Sequence, residues 1–373
     1  MASTFKNLSP NDKISTKTLL HEAIPLTGTI LSGTYSDNNI KDFSHGMFQS
    51  VYDYPYLSSS ANHIFDITVG FASDSALSAS TTAASAQCTK KINLYNQMAQ
   101  VLVGYDKAGA IQQFDEDGNL SDGTKLKENI FLSFSRLLVK DEIKRGSFQM
   151  TLAVTGGWTS PMDFGKTIVV SDAGAANDYR INSPVGEYGI LYASNSLGQL
   201  NIDVTKESST KPDYAPCGLI YYQAGVVVLS GSAFTLSSSG GILSSSVDNG
   251  GTAIDFGSSF TFSGSLTGSS IATTADLLRS RMQNIQFNNT VELNSSIYFC
   301  RINHNEYNYS ANPTYLSSSQ IRVKEQSTDN PVAYVTTVGL YSADNQLLAV
   351  GKLSEPLRKD PTIEYTLRAR LDY

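Results

Sequence analysis

The chain has 373 residues, which is enough for two or three domains, and its hydrophobic content of 40% can build real cores. Charged residues make up only 16%, below the usual quarter, and Ser, Thr, Asn, Gly and 20 Tyr take their place, which is typical of β-rich surfaces that meet other protein surfaces. The net charge of −7, with no Lys or Arg from Pro212 to Leu278, leaves no basic surface, so we expect no nucleic-acid binding.

The N-terminal region, residues 1–56, is polar and carries few apolar patterns apart from a strand-like piece at Leu26–Tyr35. We interpret this region as an arm or exchanged strand that packs on a neighbour, with a loose tail as the alternative. Its first residues lack the apolar segment of a signal peptide, and no run in the chain approaches the length of a membrane span. We therefore expect synthesis in the cytoplasm and no membrane insertion.

Residues 57–235 are predicted to form a middle β-rich domain with one helix. Ala61–Phe71 is typical of a strand, because β-branched and aromatic side chains supply its apolar body. A helix is predicted over about 88–104, where apolar residues recur at intervals of three and four and Gly104 provides a stop. Those apolar residues are Ile92, Tyr95, Met98 and Leu102.

Further strands of this middle domain are predicted at Ser147–Val154, Lys166–Ser171, Glu187–Ala193 and Cys217–Phe234. The last segment holds two strands around a turn at 223–225, and both strands are apolar on both faces. A strand that is apolar on both sides is covered on both sides. We therefore expect this pair of strands at the centre of the domain or against another subunit.

Residues 236–272 are rich in Gly and Ser, which is the composition of a flexible linker. Phe256, Phe260 and Phe262 interrupt that composition. Because a pure linker would lack these aromatic residues, we predict an inserted hairpin or extended loop that is ordered by its neighbours.

The C-terminal domain, residues 273–373, is predicted to begin with a helix over about 274–287. Leu278, Met282 and Ile285 would form the inner stripe of this helix. The helix would join the middle domain to the antiparallel β-domain that follows.

Two segments define that β-domain. Pro331–Leu353 is predicted to be a hairpin, because its two strands flank the turn residues SADNQ. Ile363–Tyr373 alternates strictly between apolar and polar residues, so we expect a final strand with one buried face. The predicted fold class is mainly β, with antiparallel sheets or β-sandwich domains and two short to medium helices.

The sequence contains no catalytic motif that we recognise. Asp115, Asp117 and Asn119 fit the first ligand positions of a calcium loop. Leu120 and Leu126 stand where that loop needs Gly and Glu, however, so Leu120 cannot make the sharp turn cheaply and Leu126 has no oxygen for the ion. A hairpin turn is the interpretation that we favour.

Other polar groupings also lack the geometry of a site. Asp141 and Glu142 are adjacent, and neighbours on a strand point to opposite faces, so we interpret them as a charged turn. Cys300, His304 and Glu306 resemble a ligand cluster, but one Cys and one His do not make a tetrahedral zinc site. We predict no metal, no cofactor and no enzymatic activity. A hydrolase remains the alternative, because its carboxylate pair would carry no short signature.

Several phrases of the chain resemble proteins of phage particles. The stretch at residues 335–373, VTTVGLYSADNQLLAVGKLSEPLRKDPTIEYTLRARLDY, resembles the β-domain of phage tail-fibre and baseplate-attachment proteins. Other phrases are similar to phrases in virion structural proteins of T4-like contractile-tailed phages, especially cyanophages. They are FSHGMFQSVYDYPYLSSSANHIFDITVGFASDS, RLLVKDEIKRGSFQMTL, GEYGILY and GLIYYQAGVVVLSGSAF.

This resemblance implies a role in a particle and no chemical mechanism. It implies a non-enzymatic structural component of a phage tail, baseplate or neck, assembled in several symmetric copies through sheet edges and the N-terminal arm. The partners would be other copies of the chain and other virion structural proteins. The location would be the virion, after assembly in the host cytoplasm.

Aromatic residues are the candidates for contact with partners. Trp158 is either an interface anchor or a cap on the edge of the core. The alternative function is a receptor- or glycan-binding tail-fibre module, with Tyr52–Tyr56 and Asn305–Tyr309 as candidate faces and a host receptor as a partner. The interface candidates are Tyr52, Tyr54, Tyr56, Trp158, Tyr221, Tyr222, Tyr307, Tyr309 and Tyr373.

Overall fold

A computed structural model describes most of the chain. The described residues are 5–25, 37–53, 55–79, 86–138, 142–154, 167–195, 201–244, 262–310, 316–317, 320–321, 326 and 328–373. The chain divides into two compact units: a terminal unit, Met1–Leu20 with Glu292–Tyr373, and a central unit, His21–Val291. The domain boundaries predicted near residues 56, 235 and 272 stay predictions.

The described residues are mainly β, as predicted, and every strand pairing given below is antiparallel. Three α-helices occur among them: α1 (Ala86–Leu102), α2 (Phe262–Gly268) and α3 (Ile271–Arg279). The strands are β1 (Lys13–Pro25), β2 (Ile40–Asp42), β3 (Gln49–Tyr52), β4 (His63–Phe71), β5 (Glu128–Ser133), β6 (Glu142–Ile143), β7 (Gln149–Ala153), β8 (Thr167–Ser171), β9 (Arg180–Ser183), β10 (Gly186–Asn195), β11 (Tyr214–Tyr221), β12 (Val226–Ser230), β13 (Met282–Ile302), β14 (Leu316–Ser317), β15 (Gln320–Ile321), β16 (Ala333–Tyr341), β17 (Leu347–Lys359) and β18 (Tyr365–Asp372).

The sheet of the central unit runs in the order β7, β8, β10, β11, β12, β5, β4, β3, β2. Its middle is the pair β11 and β12, in register from Gly218 opposite Leu229 to Tyr221 opposite Val226. Val227 and Leu229 belong to one hydrophobic cluster, and Val226 and Val228 belong to a second. The sheet is therefore buried on both faces, which confirms the prediction made from the two-sided apolar pattern.

Helix α1 confirms the predicted helix within two residues at each end. It packs on β4 so closely that a Cβ at Gly70 would lie 2.7 Å from the carbonyl oxygen of Lys91. Lys91 is itself fully buried, and its ammonium group donates to the carbonyl oxygens of Leu266 and Ser269 at 2.7 and 2.6 Å. These acceptors lie at the end of α2, where carbonyl groups lack partners within the helix.

Helix α2 was not predicted, because its sequence alternates like a strand. Phe262 and Leu266 stand four residues apart and are both buried in the first cluster, so helical spacing gives them one common face. Phe256 and Phe260, which also suggested an ordered segment, lie outside the described residues.

The helix predicted over 274–287 is wrong in its second half. Helix α3 ends at Arg279, and β13 begins at Met282 and pairs with β7. A bulge between Met282 and Asn284 shifts the register by one residue. Because of that bulge, Met282 and Ile285 are both buried although they stand three residues apart, a spacing that imitates a helix.

In the terminal unit, the second part of β13 pairs with β18 from Ser295 opposite Asp372 to Ile302 opposite Tyr365. β16 and β17 form the predicted hairpin, and its turn places Asn345 at a φ of +60°, a conformation that Asn tolerates. Both hydrophobic clusters lie wholly in the central unit. Neither cluster therefore accounts for the stability of the terminal unit.

Candidate assembly interface

The terminal unit buries almost no apolar side chain. Among its described residues, Ile302 and Ala333 are the buried hydrophobic residues. β17 is thirteen residues long, and Lys359 is its one buried residue. Burial of apolar surface is the main favourable term in folding, and an isolated two-stranded hairpin is marginal in water. Within the described residues of the terminal unit, no hydrophobic core thus covers the apolar side chains of the β16 and β17 hairpin.

The final strand shows the same incompleteness. The predicted alternation of β18 is present, but the apolar positions on its inner face are only half-buried. The sequence pattern predicted one buried face. The predicted alternation is confirmed, but the inner face is less buried than predicted, because nothing among the described residues of the unit covers this face completely.

Large apolar side chains are exposed on both strands of the hairpin. Tyr341 and Leu347 stand opposite each other, and contiguous exposed apolar groups mark sites of interaction in soluble proteins. The five large apolar side chains of the hairpin that are between 46% and 67% exposed are Tyr334, Tyr341, Leu347, Leu348 and Val350.

A groove of about 810 Å³ lies in the terminal unit. Its lining comes from both strand pairs and from the N-terminal residues, and includes Tyr298, Ile302, Val338, Leu340, Leu367 and Leu371. Protein interiors are packed with few voids. An apolar groove of this size can therefore receive side chains of another molecule or a ligand.

The loop at residues 303–310, which we call the braced loop because Lys359 binds it, carries two of the predicted tyrosines at the edge of this groove. Lys359 is fully buried, and its ammonium group donates to the carbonyl oxygen of His304 at 3.0 Å and to Oδ1 of Asn308 at 2.5 Å. Tyr307 has a φ of +53°, which is uncommon for a bulky residue. Tyr307 and Tyr309 remain about half exposed. The loop thus holds two tyrosine side chains toward solvent in a fixed conformation.

The other predicted interface residues are dispersed. Tyr52 and Tyr56 are half-buried in the central unit with ring centroids 6.0 Å apart, whereas Tyr54 and Trp158 lie outside the described residues. Tyr373 in the terminal unit is 72% exposed, and its backbone pairs with Asn294. Among the described residues, the structure thus brings together Tyr52 with Tyr56 in the central unit, and Tyr307 with Tyr309 in the lining of the groove.

Tyr221 and Tyr222 are each 1% exposed, which corrects the expectation that they contact a partner. Their two-sided apolar pattern arises from the two clusters of the central unit. The Tyr222 hydroxyl donates to Asp172 at 3.1 Å, and the amides of Gly146 and Phe148 donate to the same carboxylate. Burial raises the pKa of Asp172 to about 6 despite these three donors.

The N-terminal residues 5–20 are exposed except for Asp12, which is half-buried. Arg301 donates to Asp12 at 2.7 Å, Lys6 pairs with Glu306, and Lys17 pairs with Glu292. The Arg301 hydrogen bond holds the pKa of Asp12 at about 2. Sequence reasoning missed all three ion pairs, because each joins residues that are more than 270 positions apart and no local pattern connects them.

The loop at Asp115–Leu126 resembles a calcium loop in sequence, but the ammonium group of a lysine lies beside its carboxylates. The Lys125 ammonium group contacts Asp115 and also donates to the carbonyl oxygen of Asp122 at 3.2 Å. Leu120 adopts a φ of +63°, a conformation that is uncommon for leucine, and Asp115 and Lys125 form an antiparallel bridge across the loop. Across the part of the chain that the structure describes, no three His, Cys, Asp or Glu residues are grouped to hold a metal ion.

Two further predictions concerned a charged turn and membrane insertion. Of the predicted charged turn, Glu142 lies in β6 and Asp141 lies outside the described residues. No helix within the described ranges has the length and apolar character needed to span a membrane.

The chain was compared with models of protein families, with curated proteins and with solved structures. None of these three comparisons found a match.

Proposed function

We propose that this chain is a non-enzymatic structural subunit that assembles in several symmetric copies through its terminal unit. The observation that carries the proposal is the lack of a core in that unit, where the hairpin of β16 and β17 exposes large apolar side chains on both strands. Stable interfaces between copies bury surfaces of this kind, and pairing of exposed strand edges adds main-chain hydrogen bonds.

The resemblance supports a phage virion as the setting. Residues 335–373, which carry the strongest phrase, coincide with β16, β17 and β18 in the terminal unit. We propose a place in the tail, baseplate or neck of a contractile-tailed phage, with other copies of the chain and other virion proteins as partners. The low charge and the abundance of Ser, Thr, Asn and Tyr suit a surface that is covered in a particle.

Two experiments test the two levels of this proposal. Native mass spectrometry of the purified chain is expected to give a symmetric oligomer, and a monomer at every concentration would overturn the assembly role. Mass spectrometry of purified virions, separated into capsids, necks and tails, is expected to find the chain in the neck or tail fraction. Its absence from all fractions would overturn the virion setting.

A second function, binding of a host receptor or glycan, is favoured by the braced loop. Its two exposed tyrosine rings lie beside a groove whose charged lining residues are Lys6, Asp12 and Arg301. Asp12 pairs with Arg301, and Lys6 pairs with Glu306, so each of these charges has an opposite charge beside it. Aromatic faces beside neutral hydrogen-bonding groups suit an uncharged sugar. Tyr307→Ala and Tyr309→Ala would then abolish binding to a glycan array, whereas Tyr105→Ala, an equally exposed tyrosine of the central unit, would not. Absence of glycan binding by the unmodified chain would remove this candidate.

A further inference from the structure

The N-terminal segment at residues 5–20 enters the strand β1 at Lys13, and both faces of this part of β1 are exposed to solvent. Every residue of β1 from Lys13 to Leu20 is exposed, and its large apolar residues Ile14, Leu19 and Leu20 are 45% to 51% exposed. β1 is also the last strand in its sheet order, with β13 as its neighbour. A strand of this kind contributes main-chain hydrogen bonds but buries almost no side chain.

Charge complementarity attaches this segment to the strand beside it. Along residues 5–20 the charged side chains are Lys6, Asp12, Lys13 and Lys17, and their partners are, in turn, Glu306, Arg301, the ring of Tyr298 and Glu292. The partner numbers fall as the segment numbers rise, so the two stretches run antiparallel. All four cationic or anionic groups thus find a complementary group on one narrow surface.

The apolar end of the segment reaches the groove. Phe5 and Leu8 belong to its lining, and the Phe5 ring lies 4.5 Å from the Tyr341 ring, centroid to centroid. Residues 5–20 thus contact the surface formed by β13 and the groove through both charged and apolar side chains. We call the first the donor segment and the second the acceptor surface.

The contacts alone hold the donor segment weakly within one chain. An exposed ion pair stabilises only slightly, because water screens both charges, while fixing the backbone of each residue costs conformational entropy. Weak attachment of this kind lets the segment separate from the acceptor surface of its own chain. Another copy of the chain offers an identical acceptor surface, and exchange of identical elements between copies is a low-cost route to oligomers.

We propose that, in the assembly, the donor segment of one copy lies on the acceptor surface of a neighbouring copy. The inference rests on the proposed function and specifies its partner, which is a second copy of this chain. Each copy then both donates and accepts a strand, and the donor segment makes on the neighbouring copy the same ion pairs that it makes within one chain.

Cross-linking of mixed full-length chains tests this exchange. Lys17→Cys and Glu292→Cys would be placed in separate, differently tagged chains that also carry Cys300→Ser, because Cys300 is the half-exposed cysteine. The two chains are co-expressed and treated with a short bismaleimide. Exchange predicts a covalent dimer that carries both tags, and loss of this species when either Cys variant is expressed alone.

A chain that carries Lys17→Cys together with Glu292→Cys separates the outcomes. If the oligomer forms but this chain links only within itself and mixed chains give no covalent dimer, the exchange is overturned and the proposed assembly role survives. If native mass spectrometry finds only monomer, the assembly role has failed instead. As a second measurement, co-expression of a Lys17→Glu chain with a Glu292→Lys chain is expected to enrich mixed oligomers over either variant alone. Equal yields of mixed and unmixed oligomers would contradict the exchange.

Discussion

The two units of this chain use strands in opposite ways. In the central unit, strands such as β5 and β12 are buried on both faces, and two hydrophobic clusters account for the packing. In the terminal unit, strands of comparable or greater length bury two hydrophobic residues among those described. A sheet can therefore be regular in hydrogen bonding while most of its apolar side chains stay partly or fully exposed.

The difference separates the part of the chain that folds by itself from the part that we propose assembles. Interior packing fixes the central unit, so its stability should respond to small changes in volume. The terminal unit has regular strands, a braced tyrosine loop and ion pairs, but its apolar side chains are open to solvent. Its stability should instead depend on contact with other copies.

The largest expected effect comes from truncating matched leucines in the two units. Leu132 on β5 is fully buried, and Leu348 on β17 is 67% exposed. Leu132→Ala should lower the free energy of unfolding of the dissociated chain by about 2–5 kcal/mol, because it leaves a cavity. Leu348→Ala should change it by less than about 0.5 kcal/mol. Urea unfolding of the dissociated chain measures both, and equal losses would erase the distinction between the units.

The next effect is a pH dependence with opposite signs in the two units. Burial raises the pKa of Asp172 to about 6, so the folded state binds a proton more tightly than the unfolded chain between about pH 4 and pH 6. The contribution of Asp172 to the free energy of unfolding should rise by up to about 3 kcal/mol as pH falls through this window. Asp172→Asn should lack that rise, and parallel pH profiles for the two proteins would refute the assignment.

The carboxylates of the donor segment and its acceptor surface should behave in the opposite way. Arg301 lowers the pKa of Asp12 to about 2, Lys6 lowers that of Glu306, and Lys17 lowers that of Glu292. Groups with a lowered pKa stabilise the folded state above their unfolded pKa, and this stabilisation is lost as pH falls through the folded values. The protection factors of the amides in residues 5–20, which correct for the intrinsic pH dependence of exchange, should therefore fall below about pH 4. Unchanged protection factors there would show that the ion pairs do not hold the segment.

A smaller effect is expected from adding one methyl group to a glycine in each unit. A Cβ at Gly218 in β11 would meet the carbonyl oxygen of Val228 at 2.3 Å, whereas a Cβ at Gly351 in β17 would meet nothing within 4 Å. Gly218→Ala should cost about 1–3 kcal/mol through overpacking against backbone. Gly351→Ala should be close to neutral. Thermal unfolding of both variants compares them, and a neutral Gly218→Ala would show that the two strands can separate without penalty.

Local patterns predicted the elements whose periods are regular. The strict alternation of the last eleven residues predicted β18, and the spacing of Ile92, Tyr95 and Met98 predicted α1. The two-sided apolar run predicted that β11 and β12 are covered on both faces. These elements needed only the residues within them, because their period alone distinguishes a helix from a strand.

Properties that depend on distant residues were not predictable in this way. The bulge after Met282 depends on pairing with β7, which lies more than a hundred residues earlier in the chain. Without that pairing, the three-residue spacing between Met282 and Ile285 indicated a helix. The burial of Tyr221 could not be distinguished from an interface, since both give apolar strands. The pairing of Lys6 with Glu306 has no local signal at all. Of the candidate interface, Tyr307, Tyr309 and Tyr373 were predicted from the sequence, together with a role for sheet edges and for the N-terminal arm.

Amide hydrogen exchange of residues 333–372, measured in the full-length chain over a range of protein concentrations, tests the central claim most directly. We predict slow exchange in β16, β17 and β18 when the chain is assembled, and fast exchange in these strands on dilution to monomer. The amides of β5 and β12 should stay protected at every concentration. Equal protection of the hairpin in a monomer at every concentration would contradict the claim that the terminal unit is completed by other copies.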